Sequence, residues 1–359
     1  MILFAQPGSS MSFVNTLGGA GTDVGTSILQ REDGSIILAG YTESSALGMP
    51  IEESTGGKTD VFLAALSESG DVQEVRWFGG SGSERLAGAA IGEDGFIYLA
   101  GTTTSMDLPL PDGHRPRSGP SDAFVAKVSA DFDEIVWLRL LGGSDTDLAT
   151  GVAIGTDGSV FVVGETASLD FPRMSWDFPQ FSGGSSDAFV VELSADGETR
   201  LSGTIGGRFT DGARAVAITR ERIFLVGMTR SPDFPTMNPV QDLLAGGADW
   251  FVSTISRSGY ELMQSTYLGG SANDSPRSIA IGPYGGIHIG GSTYSFDFPV
   301  VELGWTQSMK REISSDGAIV RLNHDGSEIE KSTFLGGEGA DFIHAVGVDA
   351  AGTLVVSGA

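Results

Sequence analysis

The sequence predicts an all-β chain made of one four-stranded unit repeated around six Gly-Gly pairs. Three observations predict it. The pairs stand at Gly18-Gly19, Gly79-Gly80, Gly142-Gly143, Gly206-Gly207, Gly269-Gly270 and Gly336-Gly337, in steps of 61, 63, 64, 63 and 67 residues. A fixed period of that size marks a solenoid, propeller or array. Between the pairs lie short runs of β-branched, aromatic and small apolar residues bounded by Gly and Asp, which read as strands. Gly supplies 53 of the 359 residues, about twice the usual share, as many tight turns and close backbone contacts require.

Each unit reads as four strands, A to D. Strand A follows the Gly-Gly pair, as in Gly151–Ile154, Ala215–Ile218 and Ser278–Ile281. Strand B is Val160–Val163, matched by Ile97–Leu99, Ile223–Val226 and Leu354–Val356. Strand C is Ala188–Leu193, matched by Val61–Leu66, Ala123–Val128, Trp250–Ile255 and Ala318–Leu322. Strand D precedes the next pair, as in Thr199–Ile205 and Met263–Leu268. Asp33-Gly34, Asp94-Gly95 and Asp157-Gly158 join A to B, and Asp196-Gly197 and Asp325-Gly326 join C to D. Such dipeptides are hairpin signals. In the fourth unit the A–B turn shortens to Arg220–Arg222. Strands B and C are nearly continuous apolar runs, as expected of sheets buried on both faces.

Four antiparallel strands repeated radially make a β-propeller, a single domain over residues 1–359 with units beginning near 18, 79, 142, 206, 269 and 336. The ends support six closed blades. Ile2–Gly19 aligns without a gap on Val190–Gly207, so residues 1–17 would complete the last blade with strands C and D. The rival is an open piece of a larger ring, since the chain starts and stops in mid-motif as a fragment would.

The net charge of −25 disfavours nucleic acid and anionic membrane surfaces, both of which need a positive face. The chain has no cysteine, hence neither disulfide nor thiolate chemistry. No stretch approaches the ~20 apolar residues of a membrane-spanning helix, and Met1–Ala5 lacks the features of a signal peptide.

The unit resembles the bacterial β-propeller repeat family called SBBP. The matching stretches are Gly164–Pro172 (GETASLDFP), Met228–Pro235 (MTRSPDFP), Gly291–Pro299 (GSTYSFDFP), Ser121–Val128 (SDAFVAKV) and Ser186–Leu193 (SDAFVVEL). The first unit departs, because Tyr41–Pro50 has no Asp-Phe-Pro aspartate. The resemblance implies an exported or cell-surface bacterial protein, secreted although this chain shows no signal peptide. It brings no catalytic residues.

Strand direction puts the A–B and C–D turns at one end of each sheet and the D–A crossover and B–C loop at the other. That second end holds three recurring sets of acids. One lies four residues after the second glycine of each pair: Asp23, Glu84, Asp147, Asp211, Asp274 and Asp341. Another is the Asp-Phe-Pro aspartate: Asp107, Asp170, Asp233 and Asp297. The third opens strand C: Asp60, Asp122, Asp187, Asp249 and Asp316. Such oxygen donors could bind Ca2+, or each acid could accept N–H bonds within its own turn. Packed sheets lie ~10 Å apart whereas Ca2+–oxygen distances are ~2.4 Å, so acids of neighbouring units could not share an ion. The glycine pairs lack the helix and lysine of a phosphate loop and read as positions of positive φ. His114, His288, His324 and His344 share no repeat position or metal-ligand spacing, and no serine has a nucleophile-elbow context.

The B–C loops vary most. Pro111–Pro120 is basic, with His114, Arg115 and Arg117; Arg173–Phe181 and Val301–Glu312 carry Trp176, Phe178 and Trp305. Variation in loops at one end of a repeat array marks a binding face, although such aromatics also serve as packing anchors. The expectation is a non-catalytic binding or structural module, a monomeric part of a larger protein, that shows these loops to a protein or glycan. The alternative is a hydrolase or lyase at a central channel mouth, assisted by calcium.

Overall fold

The computed structural model describes residues 16–47, 57–109, 117–175, 183–301 and 314–359. The first sheet contains β1 (Asp23–Gln30), β2 (Ile36–Thr42), β3 (Asp60–Leu66) and β4 (Val72–Phe78). The second contains β5 (Glu84–Ile91), β6 (Ile97–Thr103), β7 (Asp122–Val128) and β8 (Ile135–Leu141). The third contains β9 (Asp147–Ile154), β10 (Val160–Thr166), β11 (Asp187–Leu193) and β12 (Thr199–Ile205). The fourth contains β13 (Asp211–Ile218), β14 (Arg222–Thr229), β15 (Asp249–Ser256) and β16 (Leu262–Leu268). The fifth contains β17 (Asp274–Ile281), β18 (Ile287–Thr293), β19 (Asp316–Leu322) and β20 (Ile329–Leu335). A two-stranded sheet, β21 (Ile343–Val348) and β22 (Leu354–Gly358), follows. In every four-stranded sheet the strands lie in chain order, the plan of a propeller blade. The C and D strands expected of residues 1–17 fall almost wholly outside the described residues.

The chain divides into two compact units, one of Met1–Val160 with Ala195–Gly197 and the other of Phe161–Ser194 with Glu198–Ala359. In the first unit, Leu99, Phe124, Ala126 and Leu138 of the second sheet join Ile37, Leu63 and Phe78 of the first in one buried core. In the second unit, Val226, Trp250 and Val252 of the fourth sheet pack with Ile289, Val320 and Phe334 of the fifth. Strands β7 and β11 are buried along their whole length, which is why their sequences show no polar alternation.

The A strands begin earlier than their apolar patterns. Each opens on the recurring acid or close to it, and register shifts follow at Gly25/Ser27, Leu86/Gly88, Ala213/Ala215, Pro276/Ser278 and Ile343/Ala345. A bulge inserts one residue and breaks the two-residue period, so only the half beyond it reads as a strand. The Asp-Gly turns behave as their sequence predicts: Gly34, Gly95, Gly158, Gly197 and Gly326 all lie at φ between 75° and 84°.

In the second unit the B–C segment returns to protect the outer strand. Met174 pairs with Ser202, Met237 with Ser265, and Gln241 with Tyr267. The hydroxyls of Ser265 and Ser332 donate to the carbonyls of Pro235 and Pro299 at 2.6 and 2.7 Å. These contacts occupy the last strand of the sheet, the edge otherwise open to strand addition.

Candidate functional site

At the D–A and B–C end, each unit builds one station from three stretches. The carboxylate of the recurring acid accepts the N–H of the second glycine in all six units. Gly19 donates to Asp23 at 2.7 Å, Gly80 to Glu84 at 2.9 Å and Gly143 to Asp147 at 2.8 Å. Gly207 donates to Asp211 at 2.7 Å, Gly270 to Asp274 at 2.8 Å and Gly337 to Asp341 at 2.7 Å. The Thr-x-Ser segment leaving strand B adds hydroxyls. Thr103 and Ser105 both donate to Glu84 at 2.6 Å. Ser231 donates to Asp211 at 2.8 Å, Ser295 to Asp274 at 2.9 Å, and Thr42 to Asp23.

The other two acid sets tie down the adjoining loops. Asp107 and Asp297 accept the N–H groups of Ser81 and Ser271 at 2.9 and 2.8 Å, and Asp233 accepts that of Arg208 at 3.1 Å. Asp122 accepts the N–H groups of Ser118 and Gly119, and Asp249 those of Ala245 and Gly246 together with the Gln241 amide. Acceptance of nearby backbone donors is the turn-forming chemistry of aspartate.

The glycine pairs require a correction. None of them is among the residues of positive φ, so conformational freedom is not their role. A Cβ on Gly269 would stand 2.5 Å from Asp249 Cγ and 2.8 Å from Asp274 Oδ2. One on Gly336 would stand 2.6 Å from Asp316 Oδ1 and 3.0 Å from Asp341 Oδ2. In the third to sixth pairs the first glycine is a spacer between two carboxylates. In the first, second, fourth and fifth pairs the second glycine lies against the serine of Thr-x-Ser: a Cβ on Gly207 would meet Ser231 Cβ at 2.5 Å.

Electrostatics differ from unit to unit. Burial opposes the charge on Asp23, yet bonds from Thr42, the Gly19 N–H and Ser44 hold it below the usual carboxylate range. Burial wins at Asp211 and Asp274, which are pushed up despite equivalent donors. It pushes Asp249 up to about 6, with the Asp274 charge adding to the rise. Among the described residues, no three His, Cys, Asp or Glu side chains gather as a metal ion would need. The recurring acids instead accept N–H and O–H donors within their own stations.

Of the loop residues, His114, Arg115, Trp176, Phe178 and Trp305 lie outside the described residues. Arg117 is half-buried and donates to the Gly119 carbonyl within its own loop. His344 is exposed at the start of β21, and His288 is buried in β18.

Sequence reading missed a row of exposed apolar residues. In Ser-x-Asp-Phe-Pro, and in its variant Ser105–Pro109 with Leu108 for the phenylalanine, the serine and the residue before proline are buried. The x residue faces solvent instead: Met106 is 60% exposed, Leu169 80% and Phe296 52%. Pro232 occupies the same exposed place. Four residues past the aspartate, Met174, Met237 and Val301 are also exposed. The signal was present in the repeat alignment, as an apolar residue at a position that packing does not use.

No protein-family model matches the chain. It is 26% identical over 249 residues to the regulatory protein FlaEY of Caulobacter vibrioides, a match that covers 68% of this chain and 24% of that protein. The chain thus spans about a quarter of the length of that curated relative. Among solved structures, a protein of unknown function from Dyadobacter fermentans aligns at a TM-score of 0.49 and 12% identity, covering 96% of both chains. The WD40 domain of Neurospora crassa Pan2 aligns at 0.43 and 7%, covering 93% of this chain and 86% of that one. A puromycin hydrolase aligns at 0.47 and 14%, covering 97% of this chain and 44% of that one.

Proposed function

We propose that the chain is a non-catalytic binding module of an exported or cell-surface bacterial protein, and that it presents the D–A and B–C end of its sheets to a partner. The recurrence of exposed apolar residues at one position of Ser-x-Asp-Phe-Pro carries this reading. A lone exposed apolar residue needs no explanation. Met106, Leu169 and Phe296, however, sit at one repeat position on a segment whose serines are committed to the station in the second and fifth sheets. The export component rests on the resemblance of the repeat.

The test is to probe a peptide array and a glycan array with the chain and with a Leu169→Ser/Phe296→Ser variant. We expect at least one class of spot to weaken tenfold or more in the variant, while thermal stability changes by under about 0.5 kcal/mol. Arrays that bind both proteins equally, or neither, overturn the reading.

We further infer that β21 and β22 begin a sixth blade completed by residues 1–17. The gapless match of Ile2–Gly19 to Val190–Gly207 supports it. A chain lacking residues 1–17 should unfold at lower temperature, and a synthetic peptide of those residues should restore the midpoint. An unchanged midpoint on deletion would sink the inference.

A further inference from the structure

We propose that Arg208, Phe209 and Arg230 form a recognition site for an acidic, apolar peptide segment. This rests on the binding face described above and names a place and a partner chemistry within it. The fourth repeat departs from its siblings at three positions. The residue after each Gly-Gly is Ala20, Ser81, Ser144, Arg208, Ser271 or Glu338, so only this repeat places a cation there. The next is Gly21, Gly82, Asp145, Phe209, Ala272 or Gly339, so only this repeat places a large apolar group there. The middle residue of Thr-x-Ser is Glu43, Thr104, Ala167, Arg230 or Tyr294, and again the fourth repeat alone carries a cation.

The structure gathers these three departures at one turn. The Arg208 N–H donates to Asp233 at 3.1 Å, the Phe209 N–H to the Ser231 hydroxyl at 2.9 Å, and the Arg230 N–H to the Thr210 carbonyl at 3.0 Å. The sibling repeats make the same backbone bonds without these side chains, as at Ser81 with Asp107 and Ala272 with Ser295. The backbone bonds therefore do not require an arginine or a phenylalanine here. Both arginines are exposed, and Phe209 is 50% exposed. The Arg208 guanidinium lies 5.4 Å from the Phe209 ring centroid. The Arg230 guanidinium makes one long bond, to the Gly247 carbonyl at 3.5 Å, which leaves most of its donors to solvent.

Charge selects the partner. The chain carries 46 acids against 21 Lys and Arg, so two exposed arginines at one turn, one of them against an exposed ring, depart from its general charge. Two carboxylates are bonded into this turn: the exposed Asp233, which offsets one of the arginines, and Asp211, which is buried beneath the surface and bonded to the Gly207 N–H and the Ser231 hydroxyl. What remains is a cation over an apolar surface, complementary to a carboxylate next to an apolar side chain. Guanidinium groups pair with carboxylates through two N–H groups at once. A ring with an overlying cation is a frequent anchor at interfaces. Pro232 adds an exposed apolar residue two positions after Arg230, and Leu169 and Phe296 hold the same exposed repeat position in the third and fifth sheets.

The test uses the full chain and three probes in fluorescence titrations: a fluorescein-labelled peptide alternating Glu and Leu, its Lys-Leu counterpart, and an oligogalacturonate. The Glu-Leu peptide should bind best, and its affinity should fall as salt is added. Arg208→Glu/Arg230→Glu should weaken it roughly tenfold or more, and Phe209→Ser roughly threefold or more, with both variants retaining the wild-type unfolding midpoint. Equal binding of the Lys-Leu peptide, or no response to these substitutions, overturns the site. Tighter binding of oligogalacturonate overturns the peptide assignment. If Glu-Leu binding depends on Leu169 and Phe296 but not on the arginines, the binding face stands and this site falls. If it depends on none of them, both fall.

Discussion

Asp23 and Asp274 occupy the same place in their repeats, accept the same glycine N–H and meet the same hydroxyl pair, yet their acidities move in opposite directions. The difference lies in what surrounds the bonds. Asp23 is half-buried, while Asp274 is fully buried and shares its surroundings with Asp249 across Gly269. Donors stabilise a carboxylate in both places. Only where water is excluded does the desolvation cost exceed their effect. One motif thus yields a favourable charge near the start of the chain and an unfavourable one in the fifth sheet.

The largest way to break this comparison is to fill the spacer. Gly269→Ala puts a Cβ against both Asp249 and Asp274, and overpacking of this kind should cost about 3 kcal/mol. Among the described residues Gly18→Ala meets only Asp23, at 3.0 Å, and should cost about 1 kcal/mol or less. Denaturant unfolding of the two variants measures the gap, and equal losses would show that the paired carboxylates do not set it.

A smaller effect sharpens the comparison through pH. Asp249 is raised, so the folded state binds its proton more tightly than the unfolded state does. Its contribution to stability is therefore fully present below the ordinary carboxylate value and is lost as pH rises through about 6. Asp23 is lowered, so its contribution is present above the ordinary value and is lost as pH falls through its folded value. The unfolding midpoint should accordingly rise as pH drops from about 7 to about 5, and Asp249→Asn should flatten that rise. Asp23→Asn should leave the slope over the same range unchanged. A wild-type midpoint that stays level there would sink the assignment.

Much of the fold is legible because its signals are local. Asp-Gly turns specify a left-handed glycine, and continuous apolar runs specify strands covered on both sides. The A strands are half legible, since a bulge after Gly25, Leu86, Ala213 and Pro276 breaks the alternation that would reveal their first residues. The Gly-Gly pairs stand out in the sequence, but their reason does not. It is the absence of a side chain between two carboxylates that lie on different strands, as Asp249 and Asp274 do, and no local pattern reports that. The station is legible as three sets of acids, but not the direction of their bonds. The exposed row is hidden because hydrophobic residues in a strand-rich sequence are first assigned to the core, and only burial separates Phe296 from Phe298.

The clamp formed by the B–C segment on the outer strand has a consequence for how such a chain can change. From each Gly-Gly to the Asp-Phe-Pro aspartate, or its equivalent Asp107, the spacing is 28, 28, 27 and 28 residues in the second to fifth repeats. From the strand-C aspartate to the next pair it is 20, 19, 20 and 20. Between those two aspartates it is 15, 17, 16 and 19. Length variation is thus concentrated in one interval. In the third to fifth repeats it runs on from the clamp, whose last contacts are Met174, Gln241 and Val301, to the acid that opens strand C. An insertion placed there, beyond the last clamp contact, is expected to leave the edge strand covered and the neighbouring strands in register.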